Sequence, residues 1–250
     1  MQLPDDIALN NTFNFVTHHL PKVPARVLEV GAGDGALAER LQQRGYEVTA
    51  LDCDDAAVVK ARARSVRAVQ ALWPDYHDSP VQAIVFTRSL HHISPLERAL
   101  LRARELLTYG GAMLVEDFAH AHARPQDILW WCRHTSEWLK SFAASTEAGI
   151  ASEFRMDSTA ARLLTATDPV ATWREQHDRP RHTADEMDAA LHARFNHVRM
   201  EGAPYFFRYL IAALPANTRY TPLVQFAYDQ ELAAMSSGRL GPLGRRWICS

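Results

Sequence analysis

The stretch Val27-Leu28-Glu29-Val30-Gly31-Ala32-Gly33-Asp34-Gly35 decides the fold. An apolar run ends in three glycines spaced two apart, and Leu37, Ala38 and Leu41 then recur at helical spacing. A strand that turns this sharply into a helix brings bare backbone and a helix N-terminus up to whatever lies above it. Glycine belongs there because a Cβ would block both the turn and the close approach. Gly45 stands where the cap that ends this helix is expected.

Working outward, residues 46–52 alternate and then turn apolar, which predicts a second strand ending in Asp52. Asp54 or Asp55 caps the next helix, which runs to about Arg64. Residues 66–72 form a weaker third strand and the run from Val81 to Phe86 a fourth. Ser94-Pro95-Leu96-Glu97 reads as a capping box opening a helix to Leu107. Tyr109-Gly110-Gly111 is a turn, and Ala112 to Val115 a fifth strand. Repeated strand–helix alternation implies a parallel sheet with right-handed crossovers. Upstream, residues 8–20 predict an amphipathic helix that Pro21 and Pro24 break.

The pattern changes after Phe118. Residues 125–165 are helical in pattern and rich in Trp130, Trp131, Trp138, Phe142 and Phe154. Thr183-Ala184-Asp185-Glu186 is a second capping box, opening a helix to about Phe195. Residues 197–203 suggest a sixth strand, 205–214 and 222–236 two helices, and 244–249 a final edge strand. The expected architecture is α/β: one domain over 1–250 with a seven-stranded, mostly parallel sheet and helices on both faces. A helical segment at 1–24 precedes it, and a helical insertion or lid at 119–195 follows strand five.

Bulk properties narrow the function classes. Hydrophobic residues make up 47% and charged residues 22% of the 250, the balance of a folded globular chain. A formal net charge of −2 provides no field for nucleic acid. No apolar run approaches the roughly 18 residues needed to span a membrane. The acidic start, Met1 to Asp6, is unlike a signal peptide. Cys53, Cys132 and Cys249 are odd in number and lack zinc spacing, so the expectation is a cytoplasmic protein without a metal.

The glycines admit two cofactors. Gly31, Gly33 and Ala36 satisfy G-x-G-x-x-G/A, and Asp52 lies about 20 residues on, as dinucleotide folds require. Glu29, Gly31, Gly33 and Gly35 also satisfy E-x-G-x-G-x-G, and here the chain resembles the class I S-adenosylmethionine-dependent methyltransferases. An acid inside the first strand disfavours the dinucleotide reading, because that strand is normally apolar throughout. Phe86-Thr87-Arg88-Ser89-Leu90-His91-His92-Ile93 resembles the segment after the family's fourth strand. Leu106-Leu107-Thr108-Tyr109-Gly110-Gly111 resembles its turn into strand five. The resemblance covers residues 25–118.

What it implies is S-adenosyl-L-methionine as cofactor. Glu29 would sit near the methionine end, with Gly31, Ala32, Gly33 and Gly35 as the backbone cradle. Asp52 would accept from the ribose hydroxyls, and Cys53 would lie beside the adenine through its backbone. Gln70 stands near the usual adenine-binding acid, and Gln82 replaces the usual Asp at the start of strand four. Thr87 and Arg88 complete the cofactor set. His91 and His92 begin the loop facing the methyl and are candidate bases; Asp117, beside Glu116, is a candidate to orient the acceptor. The tryptophans either pack on the core or line an acceptor pocket. The expected function is methyl transfer to a small molecule, an apolar or aromatic metabolite. A methyltransferase fold catalysing a non-methylating reaction and a nicotinamide-dependent oxidoreductase are the alternatives.

Overall fold

Arg26–Val30 (β1) buries four of its five residues, the signature of a central strand covered on both faces. It lies in a computed structural model that describes residues 2–145, 153–177 and 182–250. The other strands are Glu47–Asp52 (β2), Arg67–Gln70 (β3), Val81–Thr87 (β4), Leu107–Phe118 (β5), Val198–Ala203 (β6) and Gly244–Cys249 (β7). They form one seven-stranded sheet in the order β3-β2-β1-β4-β5-β7-β6. The pairs β1–β2, β1–β4, β2–β3 and β4–β5 are parallel. The strand order reverses between β1 and β4, the switch point where such sheets open a crevice at their carboxyl edge.

The sheet is mixed rather than wholly parallel. His197 and Ser250 exchange both backbone hydrogen bonds at 3.0 Å, which only an antiparallel pairing of β6 with β7 allows. The expected edge position of 244–249 is corrected: β7 lies between β5 and β6, and β6 is the edge. Burial gives the reason. β7 carries Trp247 and Cys249 fully inside, whereas β6 exposes Arg199, Met200 and Gly202.

The helices of the sheet follow their local signals, with one exception. Ala36–Gln43 (α2) is amphipathic and ends before Gly45, whose φ is 101°. Asp54 caps Asp55–Ala63 (α3) by accepting from the Ala56 N–H. The capping box expected at Ser94–Glu97 does not form: Pro95 itself holds the N-cap of Leu96–Leu106 (α4), so Ser94 falls one residue early. In β5 the Tyr109-Gly110-Gly111 turn survives as a register shift, since Val81 pairs with Leu107 but Ala83 with Ala112. Helix Pro4–His19 (α1) starts before the expected residue 8, because the Asp6 carboxylate accepts from the Leu3 N–H at its first turn.

The chain packs as two compact units. The sheet unit comprises Leu9–Phe118, Pro180–Glu201 and Arg245–Ser250; the helical unit comprises Met1–Ala8, Ala119–Arg179 and Gly202–Gly244. In the sheet unit, Val27, Val48, Ala50, Ala83 and Val85 meet α1, α2 and α3 through Val16, Leu41 and Val58. Ala184–Arg194 (α8) belongs to this unit and carries the capping box expected at Thr183–Glu186.

The helical unit is built from Pro125–Ser145 (α5), Thr159–Thr165 (α6), Pro169–Gln176 (α7), Phe206–Ala213 (α9) and Thr221–Ser236 (α10). Trp131 is buried in its core with Trp173 and Phe206, while Trp130 and Trp138 are half-buried. Helix α9 begins Phe206-Phe207 and has no capping side chain of its own. Glu231 of α10 does that work, accepting from the N–H groups of Tyr205 (2.6 Å), Phe206 (2.9 Å) and Phe207 (2.9 Å). Burial pushes its carboxyl up to about 7 despite those donors.

Candidate active site

A cleft of about 550 Å³ opens in the sheet unit, a size suited to a small-molecule ligand. Val30 and Gly31 line it at the end of β1, Leu51, Asp52 and Cys53 at the end of β2, and Ala71, Leu72 and Trp73 from the segment after β3. Arg88, Ser89, His92, Ile93 and Ser94 close it after β4. All lie at strand carboxyl ends, where the switch point predicts a ligand.

The glycine turn is held by three backbone bonds and one charge. The N–H groups of Gly31 and Ala32 donate to the Leu51 carbonyl at 2.8 and 3.0 Å, and Gly35 donates to Ala32 at 3.1 Å. The Gly33 N–H donates to the Asp52 carboxylate at 2.8 Å. Gly31 has φ 71°, and a Cβ there would stand 2.4 Å from the Ser89 Cβ. Ser89 in turn donates to the Val30 carbonyl at 2.6 Å, tying the loop after β4 to the end of β1. Asp52 also accepts from the Asp54 N–H at 3.0 Å, so each carboxylate oxygen keeps a lone pair for a further donor.

Glu29 is the anomaly of the site. It is 1% exposed and its in-register neighbours, Ala50 and Val85, are apolar. Its Oε2 has no hydrogen-bond partner among the described residues. Burial raises the carboxyl to about 8; the Arg88 charge, the Ala38 N–H and the Thr87 hydroxyl oppose the shift without offsetting it.

Arg88 owes its place to a buried hub. Glu116, 3% exposed at the end of β5, accepts from Arg88 Nη1 (2.8 Å), Thr12 Oγ1 (2.6 Å) and Arg246 Nε (2.8 Å) and Nη2 (2.6 Å). The Arg88 side chain is held by one of these bonds and its backbone N–H donates to the Glu116 carbonyl at 2.6 Å, which together anchor Arg88 at φ 59°, a backbone conformation that costs a non-glycine residue about 1–2 kcal/mol.

The histidine pair divides its roles. His92 lines the cleft, whereas His91 is buried behind it. A carboxylate only accepts, so His91 Nδ1 donates to Asp117 Oδ2 at 2.9 Å. Asp117 is wholly buried. The two imidazoles stand 3.8 Å apart, and Phe118 meets His91 edge-on at 5.1 Å. His182 straps this turn from the same unit, its N–H donating to the His91 carbonyl at 3.2 Å.

Of the residues singled out in the sequence, Gly31, Asp52, Cys53, Arg88 and His92 line the cleft. Ala32, Gly33 and Gly35 shape the turn beneath it, and Thr87 is buried at the end of β4. Gln70 does not line the cleft; its amide reaches the Cys53 carbonyl at 3.5 Å. Sequence reasoning missed Leu72, Trp73 and Ser89. Their signal was position alone, in loops that leave strand carboxyl ends. Trp73 is fixed by its indole N–H to the Ala99 carbonyl at 3.1 Å and by Phe86 edge-on at 5.9 Å.

A family model described as a methyltransferase domain matches residues 9–154. An uncharacterized methyltransferase of Mycobacterium tuberculosis is 33% identical over 129 residues, covering 49% of this chain and 63% of the relative. A demethylmenaquinone methyltransferase of Tropheryma whipplei is 30% identical over 100 residues, 38% of this chain and 42% of that protein. The chain thus spans less than two thirds of the length of these curated relatives. A solved S-adenosylmethionine-dependent methyltransferase of Thermotoga maritima aligns over 99% of this chain and 90% of its own at a TM-score of 0.55 and 13% identity, a likeness of fold.

Proposed function

We propose that this chain, which belongs to the methyltransferase domain family, transfers a methyl group from S-adenosylmethionine to a small-molecule acceptor. The carrying observation is the cleft at the carboxyl ends of β1, β2 and β4, whose lining includes both Asp52 and His92. The buried, unpartnered Oε2 of Glu29 supports the cofactor, because an ammonium group is the kind of donor that oxygen lacks.

When bound, the cofactor supplies a methyl already activated on a sulfonium. The chain's own work is then alignment, which in favourable systems contributes about 7–11 kcal/mol. Asp52 holds paired hydroxyls, a task for which a charged acceptor gives stronger bonds. Gly31 lets the ligand approach bare backbone, and Trp73 and Leu72 provide an apolar wall. His92 takes the proton of an acceptor hydroxyl where one must be lost. Asp117 holds His91 in one tautomer, and His91 backs the His92 ring. The acceptor is of the apolar or aromatic class; the apolar Leu72, Trp73 and Ile93 in the cleft lining support that reading.

Isothermal titration with S-adenosylhomocysteine and, separately, NADH tests the cofactor. Micromolar-class binding of the former and none of the latter is expected, and NADH binding alone would overturn the proposal. Labelled methyl transfer to a panel of phenols and amines, beside tRNA as a contrast, then tests the acceptor class; label appearing only in tRNA refutes it.

A further inference from the structure

Glu29 lies on the β1 face that α1, α2 and α3 cover, where alternate residues such as Val27 sit in the apolar core. Its strand neighbours Ala50 and Val85 are apolar. Helices α1 and α2 bring Phe13, Val16, Leu37, Ala38 and Leu41 to that cluster. Two other charged groups act on it most strongly: Arg88, whose charge is already engaged by Glu116, and Asp34 in the glycine turn, which repels it. Asp34 is itself paired with Arg64 at 2.7 Å. A buried carboxylate with an oxygen lacking any donor is costly, and such a group lowers the cost by keeping its proton. Yet Glu29 directly precedes Val30 and Gly31, both of which line the cleft.

We infer that Glu29 is neutral in the ligand-free protein and ionises when S-adenosylmethionine binds, so that cofactor capture expels one proton to solvent. The inference rests on the cofactor reading above. The carboxylic O–H bond breaks heterolytically, the electron pair stays on Glu29, and the proton passes to buffer. The cofactor brings two positive centres, a sulfonium and an ammonium, against one carboxylate. The ammonium supplies the hydrogen-bond donor that Oε2 lacks, and its charge replaces the proton's. Affinity is therefore linked to pH: the cofactor binds more tightly as pH rises towards the value at which free Glu29 would ionise by itself.

The test is calorimetric titration of the full chain with S-adenosylhomocysteine, which carries the same ammonium group, in buffers of different ionisation enthalpy. With a carboxyl near 8, about 0.9 proton should leave per ligand at pH 7. The dissociation constant should fall about tenfold between pH 6 and 7. In Glu29→Gln the released proton and the pH dependence should both vanish. Infrared difference spectra of the unmutated protein give a second readout that no variant can spoil: the carboxylic-acid C=O band should disappear on ligand addition. Binding without proton release, an equal proton count in Glu29→Gln, or a persisting C=O band overturns this inference alone. Absence of any binding overturns the cofactor reading, and this inference with it.

Discussion

Replacing Gly31 by alanine tests whether the turn under the cleft is built as described. Two penalties apply. The left-handed backbone at φ 71° costs an alanine about 1–2 kcal/mol. The new Cβ would also stand 2.4 Å from the Ser89 Cβ, so the loop after β4 must move. Forced overpacking of this kind typically costs about 1–3 kcal/mol. Gly33→Ala is the internal control: its φ is 56°, but nothing lies within 4 Å of the added Cβ, so only the backbone penalty applies. Gly31→Ala should therefore be the more destabilised by about 1–3 kcal/mol, or roughly 2–12 °C for a chain of this size. Differential scanning calorimetry of both variants measures the gap. A double-mutant cycle with Ser89→Gly, which removes the offending atom, should recover most of the excess as coupling energy. Equal melting of Gly31→Ala and Gly33→Ala, or a cycle without coupling, would refute the close approach of the two loops.

Three further outcomes are expected. Glu29 ionises near 8 in the fold against 4.5 otherwise, so its contribution to ligand-free stability is complete below about pH 4.5 and lost as pH rises through 8. Denaturation of Glu29→Gln should thus gain on the parent by roughly 4 kcal/mol between pH 5 and 9, and parallel pH profiles would contradict the assignment. Glu231→Ala strips the acceptor from three N–H groups at the start of α9 and should destabilise the helical unit by about 2–4 kcal/mol; urea melts followed by tryptophan fluorescence report it, and a neutral result removes the capping role. Asp52→Asn keeps the shape but removes the charge and one of the two acceptor oxygens, so S-adenosylhomocysteine affinity should drop about 10- to 100-fold by titration calorimetry; unchanged affinity would remove Asp52 from the ligand site.

The local half of this protein was legible in its sequence. The strand ending at Val30, the glycine turn and α2 were readable because backbone conformation and apolar periodicity act over a few residues. Asp54 at the α3 cap and the Thr183–Glu186 box were readable for the same reason. Ser94–Glu97 shows the limit: the right residue types stood one position out of register with the helix they were to cap.

Other features needed the tertiary structure. The placement of β7 between β5 and β6 depends on which strand can be buried on both faces, a competition between segments far apart in the chain. Glu231 caps a helix that begins 25 residues earlier, and Glu116 gathers Thr12, Arg88 and Arg246 from three distant segments. Gln70 ends β3 with its amide at the Cys53 carbonyl, and it is Leu72 and Trp73, further along the same segment, that line the cleft. Sequence by itself determined the strand–turn–helix that prepares a cofactor site and the acid that ends β2. Only the fold decided that one oxygen of the buried Glu29 has no hydrogen-bond partner among the described residues and that His92, not His91, reaches the cleft, because burial and hydrogen-bond completion are properties of packed neighbours and not of spacing along a chain.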